Sequence, residues 1–313
     1  MPELPEVEVV RRGLVPRTVG RTVTSLEVLD ERIIRRQRGG VDRLRAAVEG
    51  RRLAAVVRRG KFLWWRLQEA DGAETGEALL GHLGMSGQLR ITTAAHDAAQ
   101  ELRHRRLSMH LDDGARIDLV DQRLFGGLWA TDLAPTADGR PAAADSPDDL
   151  LPVDLAHVAR DLLDPAADLP AIARELRRRR AGIKSLLLAQ EIVSGIGNIY
   201  ADEALWSART RHDTPGAALT QRRALNILRA AAEVMERALA VGGTSFDALY
   251  VNVDGRSGYF ARSLSAYGRE GQPCLRCGRL LRRVFHQGRS SHFCPRCQPR
   301  RALSPANFRK DAS

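Results

Sequence analysis

Four cysteines, all inside 24 residues, constrain this chain more than any other feature: Cys274-Leu-Arg-Cys277 and Cys294-Pro-Arg-Cys297. Two C-x₂-C pairs separated by 16 residues place four thiolates at the corners of a tetrahedron if each pair sits on a tight turn. Gly278, directly after the first pair, supplies a turn residue. Between the pairs, Leu280, Leu281, Val284 and Phe285 are expected to form the two short strands of a hairpin. Two disulfides are the alternative, and a reducing compartment disfavours them. One structural zinc ion held by Cys274, Cys277, Cys294 and Cys297 is therefore expected. With four sulfur ligands such a metal has no open position, so it folds the segment and does no chemistry. What it holds out is basic: Arg279, Arg282, Arg283, His286 and Arg289. That display points to nucleic acid, although zinc ribbons also serve protein partners.

At 313 residues the chain is long enough for two domains with real cores. No apolar run approaches the roughly 18 residues of a membrane span. Glu3, Glu6 and Glu8 interrupt the place where a secretory signal would carry its apolar core. A cytoplasmic location is the expectation. Lys plus Arg exceed Asp plus Glu by 49 − 38 = +11, a balance that favours a polyanionic partner.

The first half reads as β-rich. After an N-terminal helix over 5–14 come segments of β character at 23–29, 53–58, 62–67, 79–83, 107–111, 117–120 and 128–131. Their spacing and Gly or Asp-Gly punctuation suggest a sandwich or barrel. Residues 69–78 and 93–101 read as surface insertions, and 134–152, rich in Pro, Ala, Asp and Gly, as a linker. The second half is helical, with segments at 169–180, 182–190 and 198–208. A long amphipathic helix follows, capped by Thr220 and stopped by Gly242-Gly243. A Gly- and Tyr-containing connection over 244–270 leads to the cysteines, and the basic tail beyond 298 reads as disordered.

The amino terminus carries a second chemical signal. Without Met1 the chain begins with Pro2, whose secondary amine can attack an electrophilic sugar carbon and form an iminium. An α-amino group titrates near neutral pH, so a useful fraction is unprotonated, and the adjacent Glu3 could shuttle protons. Helix punctuation is the plainer alternative: Pro5 in the first turn, with Glu6 and Glu8 favouring the N-terminal dipole.

Seven ordered motifs now coincide. They are Pro2-Glu-Leu-Pro-Glu-Val-Glu8, Arg58-Arg-Gly-Lys61, His82-Leu-Gly-Met-Ser-Gly87, Asp121-Gln-Arg-Leu-Phe-Gly126, Gly195-Ile-Gly-Asn-Ile-Tyr-Ala-Asp-Glu203, Gly258-Tyr-Phe260 and the cysteine set. Together, from Pro2 to about Gln298, they resemble the bacterial formamidopyrimidine-DNA glycosylases (Fpg/MutM) of the Fpg/Nei superfamily. The resemblance implies an α+β multidomain fold: an N-terminal β-sandwich with a leading helix, a helical helix–two-turn–helix domain, and a C-terminal zinc-finger β-hairpin. The implied division is 1–134 catalytic, 135–152 linker, 153–268 helix–two-turn–helix with a lesion-capping loop, 269–298 zinc finger and 299–313 tail.

Carried over motif by motif, the resemblance implies that Pro2 is the nucleophile at C1′ of a damaged nucleotide. Loss of the base leaves a Schiff base, and β- then δ-elimination cuts the strand. Glu3 resembles the proton shuttle, Glu6 the supporting carboxylate, and Lys61 the site lysine that contacts phosphate and assists elimination. Arg289 resembles the finger arginine that grips phosphates and donates a proton in δ-elimination. A base inside a duplex must be extruded before it can be attacked. Met85, Arg123 and Phe125 match the void-filling set: a flexible thioether wedge, a guanidinium for the orphaned base and a ring to stack. Leu124 stands where relatives often carry a basic residue. DNA contacts carry over to His104, Arg179, Lys184 and Asn198, the last at a Gly195-Ile-Gly197 turn before a helix whose N–H groups can hold a phosphate.

The implied partner is double-stranded DNA carrying oxidised bases or abasic sites, met by a monomer. The implied activity is removal of oxidised purines, chiefly 8-oxoguanine and formamidopyrimidines. An endonuclease-VIII-like preference for oxidised pyrimidines is the alternative, and a silent damage-binding module the third reading. Retention of Pro2, Glu3 and Lys61 argues against the last.

Overall fold

The computed structural model describes residues 2–92, 103–243, 253, 263–286 and 288–300. Two compact units emerge: Met1–His157 with Leu239–Ala261, and Val158–Ala238 with Arg262–Ser313.

The first unit begins with α1 (Leu4–Thr18), whose start is fixed by a capping box. The Glu3 side chain accepts from the Glu6 backbone, and the Glu3 N–H donates to Glu6 Oε2 at 2.9 Å. Two antiparallel sheets follow. One has the order β1 (Val23–Val28), β6 (Arg105–Leu111), β7 (Arg116–Val120), β5 (Gln88–Thr92). The other has the order β2 (Arg52–Arg59), β3 (Phe62–Gln68), β4 (Glu74–His82), β8 (Gly127–Pro135), β9 (Leu150–Pro152). Alternate residues of both sheets enter one core: Leu26, Met109, Ile117 and Leu89 from the first, Leu53, Leu63, Trp65 and Leu79 from the second. Val7, Val10 and Leu14 of α1 and Leu44, Ala47 and Val48 of α2 (Gly40–Val48) complete it. The expected sandwich with a leading helix is present.

Several expectations are corrected. Residues 69–78 are not all insertion, because β4 starts at Glu74 and Ala78 is fully buried. The stretch 134–152 is packed structure. Leu133, Ala134 and Pro135 pair with Pro152, Leu151 and Leu150, while Ala142 and Ala143 are buried. The reason lies in β3, where Trp64 and Arg66 are buried as well as Leu63 and Trp65. A strand buried on both faces has to be covered on both, and Asp148 from this stretch ion-pairs with Arg66. Helix α2 and strand β5 are additions to the expected elements, and Leu44/Ala47/Val48 and Leu89/Ile91 carry their helical and alternating periods. Residues 93–101 lie outside the described residues, apart from which the seven expected strands are all found within a few residues of their positions.

The second unit contains α3 (Leu169–Arg178), α4 (Ile183–Leu187), α5 (Asn198–Ser207) and most of α6 (Gln221–Ala240). Thr220 caps α6 as expected, its hydroxyl accepting from the Arg223 N–H at 3.3 Å. Gly242 and Gly243 end it with φ of 80° and 83°. The closing hairpin is β10 (Arg282–His286) and β11 (Arg289–Phe293). Its register corrects the expectation: Val284 and Phe285 lie on the same strand, and Leu280 and Leu281 precede it. Gly288, at φ 72°, turns the chain between His286 and Arg289, so the turn falls after Phe285 rather than before Val284. The connection over 244–262, apart from Val253, and the tail from 301 lie outside the described residues.

Candidate active site and nucleic-acid interface

At the amino terminus of the first unit, Pro2, Glu3 and Glu6 are all buried. Two residues further along α1, Glu8 receives Arg11 at 2.8 Å, Arg12 at 2.8 Å and Arg58 at 2.9 Å. Burial by itself would raise the Glu8 carboxyl. The hydrogen bonds and charges of Arg11 and Arg58 outweigh it and hold the group at about 2. Arg58 does a second thing, donating from Nη1 to the Gly60 carbonyl at 3.0 Å. Gly60 and Lys61 form the two-residue turn between Arg59 and Phe62, Gly60 at φ 58°. One buried guanidinium thus joins the proline helix to the lysine turn.

Beside that turn stands His82, whose motif by itself implies no role for it. Its ring lies 4.7 Å from that of Phe62, and its Nδ1 accepts from the Gly84 N–H at 3.0 Å. Burial, reinforced by the charges of Arg36, Lys61 and Arg35, pushes its pKa down to about 4, so the imidazole is neutral at pH 7. The short spacing Phe62/His82 across β3 and β4 could not be foreseen without the strand pairing.

Met85 and Phe125 occupy loops between strands and are exposed by 39% and 47%, against a background of buried apolar side chains. The Arg123 guanidinium lies 5.0 Å over the Phe125 ring. The two loops touch closely: a Cβ on Gly84, which has φ 61°, would stand 2.4 Å from the Phe125 carbonyl carbon. Leu124 takes a left-handed φ of 57°. His104 also has a left-handed φ, 69°, and its Nδ1 is 3.3 Å from Arg106 Nη2.

In the second unit the Gly195-Ile-Gly197 turn is shaped by Gln190, which lies outside the motifs. Its Oε1 accepts from the Gly195 N–H at 3.0 Å, and its Nε2 donates to the Ile196 carbonyl at 3.1 Å. Gly195 has φ 87°. Asn198 opens α5 with Nδ2 3.4 Å from Ser290 Oγ, while its buried Oδ1 has no hydrogen-bond partner among the described residues. Lys184 is buried, ion-paired with Asp202 at 2.6 Å and donating to the Ser290 carbonyl at 2.5 Å. Asp202 Oδ2 in turn accepts from the His292 N–H at 2.8 Å. Arg289 projects exposed from the start of β11. Lys184 and Arg289 line one cavity of about 460 Å³ with Arg211, His212, Phe285 and Arg300. Arg179, at the end of α3, is exposed and paired with Glu175 at 2.7 Å.

The four cysteine sulfurs lie within 4.8 Å of one another. Cys277 and Cys294 Sγ are 3.5 Å apart. Burial together with hydrogen bonding to Cys277 and Cys294 pushes the Cys297 thiol up to about 12, the condition a divalent cation relieves. The set fits one tetrahedral, closed zinc site. Both knuckles are tied back to the helical unit. Arg276 donates to the Trp206 and Ser207 carbonyls, and Gln298 donates to the Thr210 carbonyl at 2.8 Å.

Fold and site define a zinc-fingered α+β protein whose first unit is an antiparallel sandwich with Pro2, Glu3 and Glu6 buried at the start of its leading helix. Family models agree along the chain: the formamidopyrimidine-DNA glycosylase N-terminal domain over residues 1–128, its H2TH domain over 158–249, and the zinc finger found in FPG and IleRS over 271–300. A formamidopyrimidine-DNA glycosylase of Nocardioides sp. is 51% identical over 97% of this chain and 98% of its own. A Lactococcus lactis Fpg mutant in complex with Fapy-dG containing DNA superposes with a TM-score of 0.78 at 29% identity, covering 96% of this chain and 100% of that one. MutM in complex with carbocyclic 8-oxo-G containing DNA gives 0.77 at 29% identity over 96% and 100%. This chain belongs to the formamidopyrimidine-DNA glycosylase family.

Proposed function

We propose that this protein is a bifunctional DNA glycosylase and abasic-site lyase that extrudes and removes oxidised purines from double-stranded DNA. The observation that carries the catalytic reading is the Arg58 bridge, which anchors the start of α1 and the Lys61 turn to one buried group. The relatives' names and their complexes with Fapy-dG and 8-oxo-G DNA support the substrate class.

In the proposed reaction the Pro2 amine, freed of Met1, attacks C1′ of the extruded nucleotide and the glycosidic bond breaks to the base. Glu3 returns the proton that Pro2 sheds and protonates the sugar ring oxygen as the ring opens to the iminium. As a C2′ proton passes to solvent, the 3′ phosphate leaves in β-elimination beside Lys61; loss of a C4′ proton to solvent then expels the 5′ phosphate in δ-elimination, to which Arg289 donates. Glu6 holds the terminus through the capping box. His104, Arg179, Lys184 and Asn198 take the DNA backbone, and Met85, Arg123 and Phe125 fill the vacated stack. Lys184 would do so while bound to Asp202, bracing Ser290 as much as touching a phosphate. We assign the functional division to residues 1–152, with 135–152 as part of the sandwich, 153–268 and 269–298, and the working state to a cytoplasmic monomer on the nucleoid.

Borohydride should trap a covalent adduct between the processed protein and 8-oxoguanine:cytosine DNA, and Pro2→Gly should abolish it. A wild type that cannot be trapped ends the lyase reading. Faster cleavage of thymine-glycol than of 8-oxoguanine duplexes would transfer the chain to the oxidised-pyrimidine reading.

A further inference from the structure

The two loops that carry Met85 and Phe125 belong to different strand connections, 84–87 between β4 and β5 and 121–126 between β7 and β8. One fully buried carboxylate holds both. Asp121 Oδ1 accepts from Ser86 Oγ at 2.6 Å and from the Arg123 N–H at 3.0 Å, while Oδ2 accepts from the Gly126 N–H at 2.8 Å. The same residue reaches the His104 segment through its backbone: its N–H donates to the His104 carbonyl at 3.0 Å, and its carbonyl accepts from Arg106 Nε at 2.9 Å. On the opposite side of the loop, Arg35 donates to the carbonyls of Leu124 at 3.0 Å, Phe125 at 3.1 Å and Gly126 at 2.9 Å.

The loop backbone is therefore gripped by an anion at its N–H groups and a cation at its carbonyls. Such a clamp can hold Leu124 in its left-handed conformation, a backbone state that residues carrying a Cβ rarely adopt. Nothing in the chemistry assigned to Pro2, Glu3 or Lys61 uses Asp121. We infer that Asp121 is a positioning residue that locks the Met85 loop and the Arg123–Phe125 loop into one rigid, preassembled wedge, so that extrusion of the target base proceeds against a structure that is already formed. The inference rests on the wedge reading of Met85 and Phe125 above.

Asp121→Asn tests it. The isosteric amide keeps one acceptor but turns an NH₂ toward either the Gly126 N–H or the Ser86 and Arg123 donors, so one loop loses its anchor. Ser86→Ala removes one bond alone. Two substrates are compared, an 8-oxoguanine:cytosine duplex and a single-stranded abasic oligonucleotide that requires no extrusion. A duplex with 2-aminopurine beside the lesion reports wedge insertion by stopped-flow fluorescence.

For Asp121→Asn the duplex kcat should fall by roughly tenfold or more with KM within about threefold, and the insertion phase should slow in parallel. Cleavage of the single strand should stay within about threefold, and Ser86→Ala should show the same pattern more weakly. An unchanged duplex kcat overturns the role, and so does an equal fall on both substrates, which would make Asp121 a general support of the sandwich. Met85→Ala and Phe125→Ala run alongside. If neither lowers duplex excision, the wedge reading fails. If both do and Asp121→Asn does not, the assignment of Asp121 alone falls.

Discussion

At the scale of single residues, the start of α1 carries a cluster of buried charge. Glu8 lies at 5% side-chain exposure among Arg11, Arg58 and the more exposed Arg12. Removing the Glu8 charge takes a buried carboxylate from Arg58 and Arg11, although Arg11 keeps Asp145, so Glu8→Gln should cost about 3 kcal/mol in urea unfolding at pH 7. The pH dependence has a definite sign. The folded carboxyl sits at about 2 against an ordinary value of 4.5, so the unfolded chain binds the proton first. The stabilisation is complete above pH 4.5 and disappears as the pH falls toward 2. The gap between wild type and Glu8→Gln should therefore narrow across that window, and a gap that is constant from pH 7 to pH 2.5 would contradict the assignment. From sequence, Glu8 reads as a member of the opening motif and as an acidic residue near the helix start, with no partner implied. Its partner Arg58 lies 50 residues away, and no local pattern announces such a pair.

At the scale of elements, the finger has almost no core of its own. Cys274, Leu281 and Cys294 are its buried cluster, with Trp206 of α5 packed alongside. The metal consequently supplies the folding energy that apolar burial does not. Chelation, or Cys294→Ala, should unfold β10 and β11 and release Arg289 from its place. Retention on damaged duplex DNA should fall by about tenfold or more while the far-UV circular dichroism of the sandwich persists. Full DNA retention in the chelated protein would refute this. Element identities were legible wherever the periodicity was clean, as in α6 with its Thr220 cap. The hairpin register was not, because Leu280 and Leu281 look as strand-like as Val284 and Phe285. The turn is set by Gly288 and by which residues face α5, through His292 and Asp202.

At the scale of the whole molecule, an excess of eleven positive charges makes DNA affinity an electrolyte effect. Log Kd should rise linearly with log salt for an undamaged duplex in fluorescence anisotropy, and Arg289→Ala should lower the slope by about one. An unchanged slope would remove Arg289 from the phosphate contacts. The sequence alone determined what depends on short spacing. Two C-x₂-C pairs define a tetrahedral site, Pro5 with the acidic residues after it marks a helix start, and alternation defines strands, because these are settled within a few residues. Tertiary structure decided the rest: Arg58 joining Glu8 to Gly60, Asp121 holding Ser86 and Gly126, Lys184 turned onto Asp202, and residues 134–152 covering β3. Each joins groups far apart in the chain or rests on a burial that periodicity does not record. Which groups meet is fixed by strand order and by the requirement that buried charges find partners, and neither is written in local sequence.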